Sequence, residues 1–429
     1  MTRMVASLSA LIISIVLLVS GNAFLMTLLG IRLSFEQVSP DVIGWILVCY
    51  SIGFVLGTLY VHTIIERVGH IRAFAAFAAV AAVVALLYPM VIYEPVWGLF
   101  RALSGFSVAG VLVVIESWFS SRATNENRGA LFAVYQIVFY LSAAGGQLLV
   151  NVSDPANFMP FSLAAILLTL ALVPLALTRM EAPIIEQVHR ISIFTLARES
   201  FSGVAGALIC GVLVGGFYAL GPVYATLTGL DVAKTSSFMA SAIVAAMIVA
   251  WPLGRLCDHF DRRRVMFWVA MTAAGSAGVV AYFGAANFWL LTFAVGLMIG
   301  LSAALYPIAV AITNDRMESN RIVAASATLL LSYGVGSVIG PVVMAELINV
   351  LGPAGLFMGN AGFLFLLCVI TSYRISHTED VPVEAQEHYV PAMPETSPVL
   401  TEMDPRNTEF HESHEVEELK LQEQRQESP

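Results

Sequence analysis

Apolar and polar positions along this chain segregate on the scale of whole helices, not of single turns. Windows nearly free of Asp, Glu, Lys and Arg fall at 4–31, 42–65, 73–93, 95–115, 129–153, 155–178, 200–230, 235–254, 265–283, 287–313, 322–350 and 354–373. A helix needs about 20 apolar residues to cross a bilayer, so each window predicts one membrane span. The ninth and tenth share an uncharged stretch long enough to cross twice, and FGAAN (283–287) divides them. The eleventh and twelfth divide at Gly352-Pro353, a turn signal. The expected fold is all-α, a polytopic membrane protein with twelve transmembrane helices.

Composition agrees with the pattern. The 429 residues are 58% hydrophobic and 12% charged, with a mean hydropathy of +0.81; a soluble protein carries roughly 25% charged residues. A soluble domain of this composition would expose large apolar patches, so that class is excluded. The net charge of −9 belongs to one segment. Residues 375–429 hold 14 Asp/Glu and 3 Lys/Arg, or −11, which leaves +2 for residues 1–374. This acidic tail, with few aromatics and no apolar period, is expected to be disordered. Its HESHE run (411–415) reads as solvated charge in preference to a metal site. Cys49, Cys210, Cys257 and Cys368 stand singly in or at the end of apolar spans. They predict small apolar fillers, not disulfides or metal ligands. The first apolar run continues to Ile31 without a cleavage signal, so it is read as a span and not as a signal peptide.

Charge also sets orientation. Twelve spans place both termini on one side. Connections on that side carry Arg67, Arg72, Arg122, Arg128, Arg179, Arg190, Arg198, Arg262, Arg263, Arg264, Arg316 and Arg321, with Arg3 and Arg374 at the ends. The other side holds only Arg32 and Lys234, a bias of 14 to 2. Both termini are therefore expected in the cytoplasm. The longest internal connection, 179–200, separates six spans from six. The expected units are 1–178, the linker 179–200, 201–374, and the tail 375–429. The linker mixes apolar residues with His189, Arg190 and Arg198, which suits either a helix on the membrane surface or a plain connection.

The halves repeat. At an offset of 192, ERVGHIR (66–72) lies over DHFDRRR (258–264), and with a one-residue adjustment Asn127-Arg128 meets Asn320-Arg321. Charged turns recurring in register predict two six-helix bundles related by an axis along the membrane normal. GRLCDHFDRRR resembles the G-x-x-x-D-R-x-G-R-R loop motif of the major facilitator superfamily: Gly254, Asp258, Arg262 and Arg263 match, while His259 and Asp261 depart from it. In the first half Glu66, Arg67, Gly69 and His70 match, and His62 stands where glycine is expected. RALSGFSVAG (101–110) is similar to the family's fourth-span motif. ESWFSSRATNENRG, YALGPVYA and LYPIAVAITNDR resemble the YcaD-like bacterial branch. The resemblance covers residues 1–374. It implies a place in the bacterial inner membrane and charged turns that latch the bundles in one conformation. The residues themselves place Asp258 across a short turn from Arg262–Arg264, and Glu116, at the inner end of span four, within reach of Arg122 or Arg128, a structural pairing in preference to proton carriage.

Arg101 is the one Asp, Glu, Lys or Arg well inside a span. A charge there costs at least about 2.5 kcal/mol, and at the 192 offset its counterpart is Phe293. Arg101 is expected to face a water-filled cavity. Asn22, Gln136, Tyr140, Tyr218 and Tyr306 complete the candidate substrate site. Tyr218 and Tyr306 lie near Pro222 and Pro307, where a broken helix would free backbone groups. Gly336, Gly340 and Pro341 read as a packing seam. Spans one, five, seven and ten hold no deep Asp or Glu, which counts against proton carriage.

No G-x-S-x-G, HExxH or phosphate-binding loop is present, so neither an enzyme nor an ATP-driven pump is expected, and no cofactor or metal. The expected function is secondary transport of a small organic solute by alternating access. Proton-coupled efflux and metabolite uptake are its two modes, and a sensor or scaffold signalling through the tail is the other class. Expected partners are the solute, the lipid bilayer and protons, with no nucleic acid, for a monomeric protein.

Overall fold

A computed structural model describes residues 2–123, 127–178, 191–284, 287–318, 321–378, 381–383, 386, 389–390 and 392–393. Most of the tail and residues 179–190 of the linker lie outside the described residues, as does the side chain of Arg128. The helices are α1 (Thr2–Phe35), α2 (Pro40–Val68), α3 (His70–Leu87), α4 (Glu94–Ser120), α5 (Arg128–Leu148), α6 (Met159–Leu170), α7 (Leu172–Leu177), α8 (Ile193–Glu199), α9 (Phe201–Leu227), α10 (Val232–His259), α11 (Arg262–Phe283), α12 (Phe288–Asn314), α13 (Ile322–Leu351) and α14 (Gly355–His377). Among the described residues, twelve spans are long and apolar enough to cross a membrane, α6 and α7 together making the sixth. Helices α1–α7 form one six-span bundle and α9–α14 the other. Short α8 straps the linker to the second bundle: Glu199 pairs with Arg321 at 3.0 Å, and the Ile191 carbonyl accepts from Thr328 Oγ1.

Helix boundaries repeat between the halves more closely than the charged motifs do. Helices α2 and α10 begin at 40 and 232, and α3 and α11 at 70 and 262, an offset of 192 in both cases. From the fourth span on the offset is 194: α4 and α12 end at 120 and 314, and α5 and α13 begin at 128 and 322. The net gain of two comes from α11, which has 22 residues against 18 in α3, while the connection after it is shorter. This corrects the partner of Arg101: its counterpart is buried Val295, not Phe293, which is 73% exposed on the outer surface.

The charged motifs are helix ends and not loops. Glu66 and Arg67 lie in the last turn of α2, and the turn itself is Gly69 at φ +86°, a conformation glycine adopts at no steric cost. Three arginines open α11, where the helix dipole disfavours cations. Asp261 offsets this by capping the helix, accepting from the Arg264 backbone N–H at 2.8 Å.

In a bilayer, helices associate through close packing, since lipid tails are as apolar as the helices. Two crossings show it. A Cβ on Gly53 would overlap the Ala102 carbonyl, and one on Gly105 the Tyr50 carbonyl, so α2 and α4 touch backbone to backbone. Gly211 meets the Tyr333 carbonyl and Gly336 the Leu208 carbonyl, joining α9 to α13 in the same way. The Gly336/Gly340 seam thus packs as its spacing predicts. Pro222, Pro307 and Pro341 lie inside continuous helices, so the helix breaks expected at the first two are not formed.

The bundles meet at the face opposite the termini, the distal face. There a Cβ on Gly30 of α1 would lie 3.0 Å from Pro222 of α9. Gly44 of α2 abuts Ala345 and Pro341 of α13. Asn151, in the single 3-10 turn after α5, donates to Ser236 Oγ of α10 at 2.7 Å.

Candidate functional site

A cavity of about 180 Å3 lies between the bundles, lined from α1, α2, α4, α5, α9, α10 and α13. Its polar groups are Asn22, Thr27, Tyr50, Ser51, Tyr140, Gln147, Tyr218, Tyr333 and Ser337; Met26, Phe54, Phe139, Met239 and Ile243 are among its apolar walls. None of the lining residues is Asp, Glu, Lys, Arg or His. Asn22 Nδ2 donates to Tyr50 Oη at 3.0 Å, and Thr27 Oγ1 donates to Gln147 Oε1. These two pairs tie α1 to α2 and to α5 and leave amide and hydroxyl capacity facing the cavity.

Of the residues nominated from sequence, Asn22, Tyr140 and Tyr218 line this cavity. Gln136 lies one turn before Tyr140 on α5 and is not in the lining. Tyr306 stands one layer back, its ring edge-on to that of Tyr333 at 5.7 Å. Arg101 also stands one layer back, its guanidinium 4.4 Å from the centroid of the Tyr50 ring. The expectation that Arg101 faces the cavity directly is therefore corrected: an aromatic ring intervenes. Tyr50, Gln147, Tyr333 and Ser337 escape sequence reasoning because these spans are apolar on all sides, so no amphipathic stripe reports which face turns inward.

The turns at the terminal face differ between the halves. Arg262 is 1% exposed and pairs with Asp315, at the end of α12, and donates to the Ala311 carbonyl at 3.1 Å. Arg263 donates to the carbonyls of Arg374 and Thr378, both at 3.3 Å. The expected pairing of Asp258 with these arginines is not formed. Asp258 instead accepts the backbone N–H of Tyr389, at the start of the tail, at 2.8 Å. The Tyr389 ring covers Gly254, where a Cβ would lie 3.0 Å from it. Tyr389 and Ala392 pack on the terminal half of the second bundle, and Met393 is buried in the cluster that holds the first bundle. The start of the tail thus spans the two apolar clusters. In the first half Glu66 and Arg67 are exposed and form no ion pair among the described residues. Buried Glu116 accepts from Tyr135 Oη at 2.5 Å, a partner that the sequence did not suggest.

Comparison with known proteins matches this geometry. The model of the family described as Major Facilitator Superfamily matches residues 5–252 and 206–410. The uncharacterized MFS-type transporter YcaD of Escherichia coli O6:K15:H31 is 30% identical over 374 residues, covering 86% of this chain and 96% of that protein. YcaD of Escherichia fergusonii is 29% identical over 377 residues, with the same shares covered. The crystal structure of the nucleoside transporter NupG superposes with a TM-score of 0.73 at 14% identity, covering 87% of this chain and 100% of that one. Twelve spans in two bundles around a central cavity, with a family match over most of the length, make this chain a multi-pass transporter protein of the major facilitator superfamily.

Proposed function

We propose that the chain carries a small amphipathic organic solute by alternating access, binding it in the central cavity through Asn22, Tyr50, Tyr140, Gln147 and Tyr218. The observation that carries this reading is the lining itself, neutral hydrogen-bonding groups set in an aromatic and aliphatic wall. Such a wall suits a solute with an apolar body and one or two polar groups. A solute of that kind enters cells through the bilayer unaided, so export is the useful direction. Coupling to protons then falls to Glu116, a buried carboxylate of the first bundle outside the lining. A panel of amphipathic solutes should include ligands that raise the melting temperature of the purified protein. At a hundredfold excess over Kd the gain is about 2.7 kcal/mol, and Asn22→Ala should reduce it. Counterflow of those solutes in proteoliposomes should survive removal of residues 395–429, which keeps Tyr389 and Met393 in place. A panel without ligands, or output that depends on that segment, favours a tail-signalling protein instead.

The arginine bias supports a cytoplasmic terminal face, and hence a cavity closed toward the outside by the distal contacts. Cysteines at Glu186 and at Lys234, each in a Cys49→Ser background, report on this directly. An impermeant thiol reagent added to intact cells should label position 234 and spare position 186. The reverse pattern inverts the topology.

A further inference from the structure

Arg101 raises a question that the cavity lining does not answer. Its guanidinium is 0% exposed, and Nε, Nη1 and Nη2 all lack a hydrogen-bond acceptor. Ser104, one turn along the same face of α4, is 3% exposed, and Tyr88, just past the end of α3, is 0% exposed. The hydroxyls of both are likewise without partners. Tyr88 Oη lies alongside both Arg101 and Ser104, near enough to interact and yet outside hydrogen-bonding geometry. The Tyr88 ring is itself held edge-on by Trp97 at 5.2 Å and Phe100 at 5.6 Å, so its hydroxyl is fixed in place. The Tyr50 ring lies 4.4 Å from the guanidinium, on the cavity side. It offers its face to the cation and no acceptor, and its hydroxyl is engaged by Asn22.

The charge is permanent, because a guanidinium keeps its proton at every relevant pH. Unpaired charge in a low-dielectric interior is among the costliest features a fold can hold. The nearest carboxylates in sequence on α2 and α4, Asp41 and Glu94, form no ion pair with Arg101 among the described residues. Arg101, Tyr88 and Ser104 together present a planar fork of N–H donors and two hydroxyls that can each donate. Donors without a single counter-charge are complementary to an anion.

We infer that Arg101, Tyr88 and Ser104 form a binding site for a monovalent anionic group, one aromatic ring away from the central cavity. The Tyr50 ring, which lines the cavity, is what separates it from the guanidinium. A free halide and the carboxylate of a carried solute present the same chemistry; only the second source rests on the transport reading above.

Thermal unfolding of the purified full-length protein separates the sources, with ionic strength held constant by sulfate. Chloride and bromide are titrated in one arm, benzoate and its neutral isostere benzamide in the other. A saturable rise of roughly 5 °C at a hundredfold excess over Kd with halide identifies a resident anion. The same rise with benzoate, absent with benzamide and with halide, identifies a solute headgroup. Arg101→Met should abolish either response. Because that variant is at risk of misfolding, the pair Tyr88→Phe with Ser104→Ala keeps the charge, removes two donors, and should weaken anion affinity about tenfold or more. No anion-dependent rise in the wild type, or an equal rise in the variants, overturns the site and leaves the guanidinium hydrated by water alone. That failure would not touch the transport reading, which is judged by the uncharged members of the solute panel.

Discussion

Asp315→Asn should destabilise the protein by about 3 kcal/mol or more, since removing one partner of a buried pair strands the other. Arg262 and Asp315 have side chains only 2% and 4% exposed. Each also sits at the wrong end of its helix. Arg262 opens α11, where the dipole is positive, and Asp315 follows the end of α12, where it is negative. Each therefore gains compensation from the other's charge that its own helix end does not supply. Arg262→Met with Asp315→Asn should recover much of the loss, because a buried pair replaced as a unit is often near neutral. Chemical denaturation of the two single variants and the double variant gives the coupling energy. Losses that simply add would show that the pair is not the source of the effect. Asp258→Asn is the contrast: it keeps an oxygen that can accept from the Tyr389 N–H, and should cost well under 1 kcal/mol.

The two acids show where sequence reading stops. DHFDRRR marks a charged turn at a helix boundary, and the turn is where it was expected. Which acid meets Arg262 was not legible, because Asp315 lies 53 residues away and is reached only when α12 packs beside α11. Glycine at 69 was legible because its backbone role is local. The spans themselves were legible for a physical reason: exclusion of charge from the bilayer core writes each one into the sequence. Rotation of a span is not written in that way. Asn22, Tyr140 and Tyr218 drew notice as polar exceptions in apolar helices, whereas Tyr50 and Tyr333 looked like ordinary aromatic filler and proved to be the rings through which Arg101 and Tyr306 approach the cavity. Arg101 was conspicuous by its cost, but neither its cost nor its position could show the ring in front of it.

Joining Asn151→Cys to Ser236→Cys should stop transport in proportion to the fraction cross-linked, and a reductant should restore it. These side chains meet at 2.7 Å across the distal seam, one at the end of the fifth span and the other at the start of the eighth. Alternating access requires that seam to part, because the cavity lies between the same two bundles that it closes. Gly44 against Ala345 and Gly30 against Pro222 show how tight the closure is: the first leaves no room for a Cβ, and the second would admit one only if Pro222 shifted. A covalent tie at that point holds the distal face shut while leaving the lining residues untouched. Solute binding, read as thermal stabilisation, should therefore persist when transport is lost. Cys49 is the native thiol that is not buried, so the Cys49→Ser background keeps the chemistry confined to the engineered pair. A tie between Glu199→Cys and Arg321→Cys, which already touch through an ion pair at 3.0 Å, controls for cross-linking itself. Helix α8 moves with the second bundle in this scheme, so that tie should leave transport nearly unchanged. Full transport with the distal pair cross-linked would mean that the bundles pass the solute without separating at this face, and alternating access at this seam would have to be abandoned.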